Sequence, residues 1–221
     1  MTTPEYEILA QSNRPHTQAE PRNLPVTSEA DATGELATAY QYFRDQFGRP
    51  DLPGILKCFS SAPALLQQVM QLSEGLLFSD GKLGRRHEEM IATYTSALNA
   101  CPYCADSHGF FLRIHGGEEA TIDALTNVTI DGAPLNPADR ALLRFVEKVN
   151  AESCKVEPAD IQNLRNHNWT EDQIAEAIHL TGAFAFFNRV ANAFGLVSQG
   201  LLDLKPEPPA VTLPHQESRT P

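Results

Sequence analysis

The sequence predicts an all-α fold: one helical bundle flanked by extended arms. Two observations predict it. Apolar residues recur at three- and four-residue intervals through nearly every segment between residues 31 and 203, and several of those segments open and close on helix-capping residues. Strand patterns are nearly absent; Val128-Thr129-Ile130 before Asp131-Gly132 is the one short candidate, and a loop suits it better. With 221 residues, 42 % of them apolar, the chain can bury the core of one well-packed domain.

Taken in order, Glu35 to Phe47 places Leu36, Ala39, Tyr40, Phe43 and Phe47 on one face and stops at Gly48. Ser61-Ala62-Pro63 opens a second helix that runs to about Ser79-Asp80-Gly81, a third spans Arg85 to Leu98, and a fourth runs from Pro102 to about His115. Asn136-Pro137 combines an N-cap side chain with proline at the first helical position, and Pro158 begins a short helix to about Asn166. The last helix starts at Trp169-Thr170, where Thr170 and Gln173 form a capping box and Trp169 can staple onto Ile174; it ends at Gly195. Prolines break the ends. Residues 1–30 read as an extended N-terminal arm, 31–203 as the helical domain, and 204–221 as a proline-rich C-terminal tail.

Acidic residues outnumber basic ones 28 to 17, for a formal charge of -11. That balance argues against nucleic acid and against an anionic membrane surface as partners. The first residues lack the cationic and apolar regions of a secretory leader, and no stretch approaches the ~18 apolar residues of a membrane span. A cytoplasmic setting is expected. The four cysteines are Cys58, Cys101, Cys104 and Cys154. In a reducing compartment, a pair two residues apart is redox-active or metal-binding more often than a structural staple.

That pair sits in Cys101-Pro102-Tyr103-Cys104-Ala105-Asp106-Ser107-His108. Pro102 suits the first turn of a helix and no later position, which puts Cys101 at the N-cap and Cys104 and His108 on the same face. At ~100° per residue the three side chains fall within about 60° of one another. The helix N-terminus stabilises a thiolate, and by position alone Cys101 is the more acidic thiol. A neighbouring imidazole can take or return a proton near neutral pH. Thiolate, second thiol and local base together support attack on an electrophilic oxygen or sulfur, followed by disulfide formation. A Cys-Cys-His zinc site is the competing structural reading, but the chain offers no second ligand pair at such spacing. Upstream, Glu89 would lie ~18 Å from Cys101 in one straight helix, so it can join the site only if the chain folds back at Asn99 to Pro102. Without that fold, Glu88 and Glu89 read as a solvated face.

The pattern Glu89-x11-Cys101-x2-Cys104-x3-His108 resembles the AhpD-like alkylhydroperoxidases of the carboxymuconolactone decarboxylase superfamily, and in particular their peroxidase-related branch. The likeness extends over about Gly34 to Gly200, with Pro53-Gly54-Ile55-Leu56, Ser61-Ala62-Pro63 and Phe186-Phe187-Asn188-Arg189 as supporting matches. It implies an all-α fold assembled as a homo-oligomer, often a trimer or hexamer, with no haem, metal or other cofactor. It implies that Cys104 attacks a hydroperoxide, that Cys101 resolves the product, and that Glu89 with His108 relays protons. It further implies an unidentified thiol reductant, lipoyl-bearing proteins being among those the family uses. Two departures stand out. Tyr103 occupies the position where well-known members carry histidine, and cannot shuttle protons at neutral pH; His87 stands where many relatives are acidic. The decarboxylase branch uses no cysteine pair. A protein disulfide oxidoreductase and a non-enzymatic zinc-binding scaffold are the alternatives.

Of the remaining residues, His179 is expected as a hydrogen-bonded core histidine and Arg189 in a structural ion pair. Cys58 and Cys154 are expected as small buried residues, and Phe184, Phe186, Phe187 and Phe194 as core, subunit interface or pocket wall.

Overall fold

The computed structural model describes residues 21–49, 51–78 and 81–204; most of the expected arm and nearly all of the expected tail lie outside them. Among the described residues there are nine α-helices and no strand. They are α1 (Gly34–Phe47), α2 (Gly54–Lys57), α3 (Pro63–Leu77), α4 (Arg85–Leu98), α5 (Pro102–Ile114), α6 (Glu119–Thr126), α7 (Pro137–Glu152), α8 (Pro158–Asn166) and α9 (Glu171–Phe194).

The capping signals act where the sequence places them. Asn136 accepts the amide of Asp139 at 2.7 Å with Pro137 behind it. Thr170 accepts the amide of Gln173 at 3.3 Å, and the Gln173 side chain accepts the Thr170 amide at 3.0 Å. Gly48 ends α1 and Gly195 ends α9, both in the left-handed conformation that glycine adopts without strain. Two helices escape the periodicity. The four residues of α2 and eight of α6 are too short to repeat a 3.6-residue pattern. The strand candidate is a turn, with Val128 at φ +55° leading into a 3-10 turn at Ile130–Gly132.

Helix α4 is the axis of the bundle. It packs most extensively on α5, then on α9, α6 and α7. Every residue from Glu88 to Ser96 is buried, including the polar Glu88, Glu89, Thr93, Thr95 and Ser96. A run of buried polar side chains on a central helix is costly unless each is paired, which marks this helix as more than packing. Two apolar clusters flank it. One gathers α1, α2 and α3 around Cys101, Tyr103, Cys104 and Phe110. The other gathers Met90 and Ile91 of α4 with α6, α7, Trp169 and the first half of α9.

The α4–α5 connection reverses the chain in three residues. The Cys101 amide donates to Ser96 O at 2.9 Å, and Ala100 takes φ +49° between them. An asparagine lattice holds the turn: Asn99 and Asn150 exchange amide hydrogen bonds at 3.0 Å, Asn99 donates to Asn188 at 3.0 Å, and Asn192 donates to Asn99 O at 3.1 Å.

The far side of α5 is strapped by the segment after α9. The Asp106 carboxylate accepts the amides of Gln199, Leu201 and Leu202 at 2.9, 3.1 and 2.9 Å. Arg113 donates to Leu202 O and Leu204 O at 3.0 and 2.9 Å. Gly109 admits the strap, since a Cβ there would meet the Leu202 side chain at 3.0 Å. Asp106→Ala strands three amides, and is expected to lower stability by about 2–4 kcal/mol in urea unfolding. The start of the chain is tied down likewise, the Asn23 amide donating to Phe194 O at 3.0 Å and Tyr40 Oη to Thr27 O at 2.9 Å.

Candidate active site

The chain does fold back at Asn99 to Pro102, and the consequence is a contact between the second turn of α4 and the second turn of α5. His108 Nδ1 lies 2.7 Å from Glu89 Oε2. Glu89 is fully buried, 0 % exposed, and its other oxygen lies 2.6 Å from Arg85 Nη2. A carboxylate can only accept, so Nδ1 carries the hydrogen and Nε2 presents its lone pair. The ring is held edge-on against Phe184 and Phe111, with centroids 4.6 and 5.7 Å away. The solvated-face reading of Glu88 and Glu89 is therefore overturned; the bundle closes over both.

Cys101 caps α5 and Pro102 takes its first position, as the sequence requires. Both cysteines are free thiols, 1 % and 4 % exposed. They titrate against each other. A hydrogen bond from Cys104 holds the Cys101 thiol below its ordinary range, assisted by the amides of the first turn, whereas that same bond and burial push Cys104 well above it. The helix-end argument for Cys101 as the more acidic thiol is thus matched by the pairing.

Access separates the two in the opposite sense. An apolar cavity of about 130 Å³ lies against α5, and Cys104 and His108 line it, while Cys101 does not. Its walls are largely apolar: Phe43, Phe47, Met70, Phe78, Phe111 and Phe187 among them, with Gln199 and Leu201 of the strap. Tyr103 also lines it, but its hydroxyl is buried against the Ile55 amide at 3.3 Å and burial raises its pKa further, so it is a wall and not a proton carrier. Among the described residues no three His, Cys, Asp or Glu side chains converge as a metal-holding group.

The Carboxymuconolactone decarboxylase family profile matches residues 63–148, from α3 through most of α7. The solved structure of an uncharacterised peroxidase-related protein from Ralstonia eutropha JMP134, described as an alkylhydroperoxidase AhpD core, superposes with a TM-score of 0.73. It is 28 % identical over 84 % of this chain and 97 % of its own. Residues 63–148 of the chain thus carry the carboxymuconolactone decarboxylase family pattern, and its fold is similar to that of AhpD-like, peroxidase-related proteins. A peroxidase-related protein from Silicibacter sp. TM1040 matches at TM-score 0.70 and 28 % identity, over 82 % of this chain and 93 % of that one. A protein of unknown function from Agrobacterium tumefaciens, described with AhpD antioxidant defence, matches at 0.53 and 25 %, over 62 % and 91 %. No curated protein is detectably similar in sequence.

Within this candidate site two side chains went unassigned in the sequence. Asn188 is fully buried; its amide donates to Ser96 Oγ at 3.0 Å and lowers both thiols, while Asn99 fixes its orientation. Arg85 neutralises Glu89. The signal for Asn188 was present, a lone amide within the apolar run Phe184 to Val190; for Arg85 it was its place one helical turn before Glu89. His87 is no part of the site: it meets Asp139 at 3.0 Å and the edge of Trp169.

Three expectations are corrected. His179 is exposed, because the buried face of α9 runs through Ile174, Ala177, Leu180, Phe184 and Phe187 and leaves 179 outside. Arg189 is exposed too, and its guanidinium donates to Ala185 O at 2.5 Å on its own helix. Cys154 is exposed in a 3-10 turn, whereas Cys58 is buried and burial pushes its thiol up to about 12. Of the four phenylalanines of α9, Phe184 and Phe187 line the cavity, while Phe186, 42 % exposed, and half-buried Phe194 do not.

Glu88, next to Glu89, makes stability depend on pH. Burial pushes its carboxyl up to about 7 from 4.5, against the pull of Arg85. A group raised in the folded state contributes fully below its unfolded value and loses that contribution as pH rises through its folded one. The urea midpoint is therefore expected to fall between about pH 4.5 and 7, and Glu88→Gln to flatten that fall.

Proposed function

We propose that the protein is a cofactor-free thiol peroxidase that reduces organic hydroperoxides. One observation carries the reading: Cys104 and His108 line the same apolar cavity, and Glu89 holds the far nitrogen of His108 at 2.7 Å. In the proposed cycle the proton of Cys104 passes, directly or by way of the Cys101 sulfur, to His108 Nε2, and the Cys104 sulfur attacks the terminal oxygen of the hydroperoxide. The O–O bond breaks, and the leaving alkoxide takes a proton from His108 to depart as the alcohol. Cys101 then attacks the sulfenic sulfur of Cys104, forming the disulfide and releasing water. Two thiols and one hydroperoxide become one disulfide, one alcohol and one water. A thiol reductant, a lipoyl-bearing protein being one class that fits, returns the pair to dithiol.

The cavity supports the choice of substrate. It approaches in size an engineered protein cavity of about 150 Å³ that takes up benzene, so an alkyl or aryl group of that order gains from burial there and hydrogen peroxide does not. We further propose a homo-oligomer: α9 leaves Ile178 and Phe186 exposed, and α3 leaves Leu65 and Leu72. No helix among the described residues is long and apolar enough to cross a membrane, and free thiols suit a reducing, cytoplasmic setting.

Mass spectrometry of the reduced protein after a brief stoichiometric pulse of cumene hydroperoxide tests the reading. The expected products are a Cys101–Cys104 disulfide in the native chain and a sulfenic acid on Cys104 in Cys101→Ser. Faster turnover of a protein disulfide than of cumene hydroperoxide would make it a disulfide oxidoreductase instead. One tightly held zinc per chain with both thiols protected would end the redox reading altogether.

A further inference from the structure

Arg85 stands between two buried carboxyl groups, 2.6 Å from Glu89 Oε1 and 3.6 Å from Glu88 Oε2. Glu88, 2 % exposed, extends towards Glu176 of α9, and the two side chains converge on the Cα of Gly81. A Cβ at that position would press on Glu88 Oε1 and Glu176 Oε1 alike, so glycine there leaves the two carboxyl ends room beside each other. The other oxygen of Glu176 accepts the amides of Lys82 and Leu83 at 2.7 and 3.1 Å, which fixes it in place. Among the described residues the charged groups facing Glu88 are Arg85 and Glu89 from its own helix and Glu176 from α9. The 81–84 turn directs the Lys82 and Leu83 amides towards Glu176. Two adjacent carboxylates with a share of one arginine do not both ionise readily.

We propose that Glu88 and Glu176 hold one proton in common and act as a positioning pair for the Glu89–His108 relay, deciding how far Arg85 neutralises Glu89. While the proton is shared, the pair carries one negative charge and Arg85 stays on Glu89. When it leaves to solvent, Glu88 becomes a full carboxylate and draws the guanidinium towards itself. Glu89 is then less neutralised and better supports a protonated His108, so His108 takes the Cys104 proton more readily. The purpose given to the relay rests on the peroxidase reading; the shared proton does not.

Infrared spectroscopy of the reduced full-length protein reads the proton directly. A carbonyl band of a protonated carboxyl is expected in neutral solution, bleaching as pH rises through about 7, and missing from both Glu88→Gln and Glu176→Gln. The rate of Cys104 alkylation by a small haloacetamide, followed against pH, reads the coupling. The native chain is expected to show an inflection in that same range, and Glu88→Gln to lose it, with about tenfold slower alkylation on the alkaline side. Glu176→Gln, half-exposed and less exposed to folding failure, provides the same two readouts. No acid band at neutral pH, a band that survives both substitutions, or an unchanged alkylation profile would each overturn the proposal. Peroxide turnover enters neither measurement, so a protein inactive towards hydroperoxides but with the band and the inflection would sink the peroxidase reading alone.

Discussion

Cys104→Ser is expected to abolish hydroperoxide consumption, by on the order of 10³-fold or more, since a serine hydroxyl offers no thiolate. Cys101→Ser is expected instead to permit a single oxidation and then stop. Two features of the pair pull apart here. Acidity favours Cys101, which accepts the Cys104 hydrogen bond, and access favours Cys104, which alone of the two reaches the cavity. Access is given the greater weight because proton transfer between hydrogen-bonded sulfurs is local, whereas a hydroperoxide cannot reach a sulfur that no cavity exposes. Quenched-flow trapping of the sulfenic acid in each serine variant checks the assignment. If Cys101→Ser blocks the first oxidation, the two roles exchange.

Glu89→Gln is expected to slow turnover by about 10²–10⁴-fold, the range over which a positioned acid–base partner acts. Glutamine can accept from Nδ1 but cannot offset the charge of an imidazolium. Because Glu89 is wholly buried against Arg85, the substitution is also expected to cost about 1–3 kcal/mol of stability, which Arg85 limits by keeping Glu88 and the face of Phe78. Turnover against pH, beside the urea midpoint, distinguishes the two effects. A rate that falls only in proportion to the unfolded fraction would remove Glu89 from the relay.

The bundle was legible in the sequence wherever a helix was long enough to repeat its period or carried a cap, as at Asn136 and Thr170. The cysteines and His108 were legible because they share one helix, so local geometry settles their relation. Glu89 was not reachable that way: eleven residues, nine of them helical, separate it from Cys101, and only the turn through Ala100 brings it to His108. The family pattern pointed to it, and the fold supplied the contact. Asn188 and Arg85 lay beyond both routes, since their roles depend on which faces of α9 and α4 meet α5. His179 shows the opposite failure. An aromatic-rich helix suggests burial on every side, yet α9 has an outer face, with His179 on it, that is exposed among the described residues.

Helix α5 is anchored at both ends. Asparagines lock the turn at its head, and Asp106 with Arg113 bind the strap along its flank. In the proposed cycle, opening and closing a bond between the two sulfurs at its head would call for side-chain rotation within that frame, leaving the outline of the molecule the same before and after. A reductant would then find no altered silhouette to recognise; it would have to probe every copy it encounters and react with those whose sulfurs are joined.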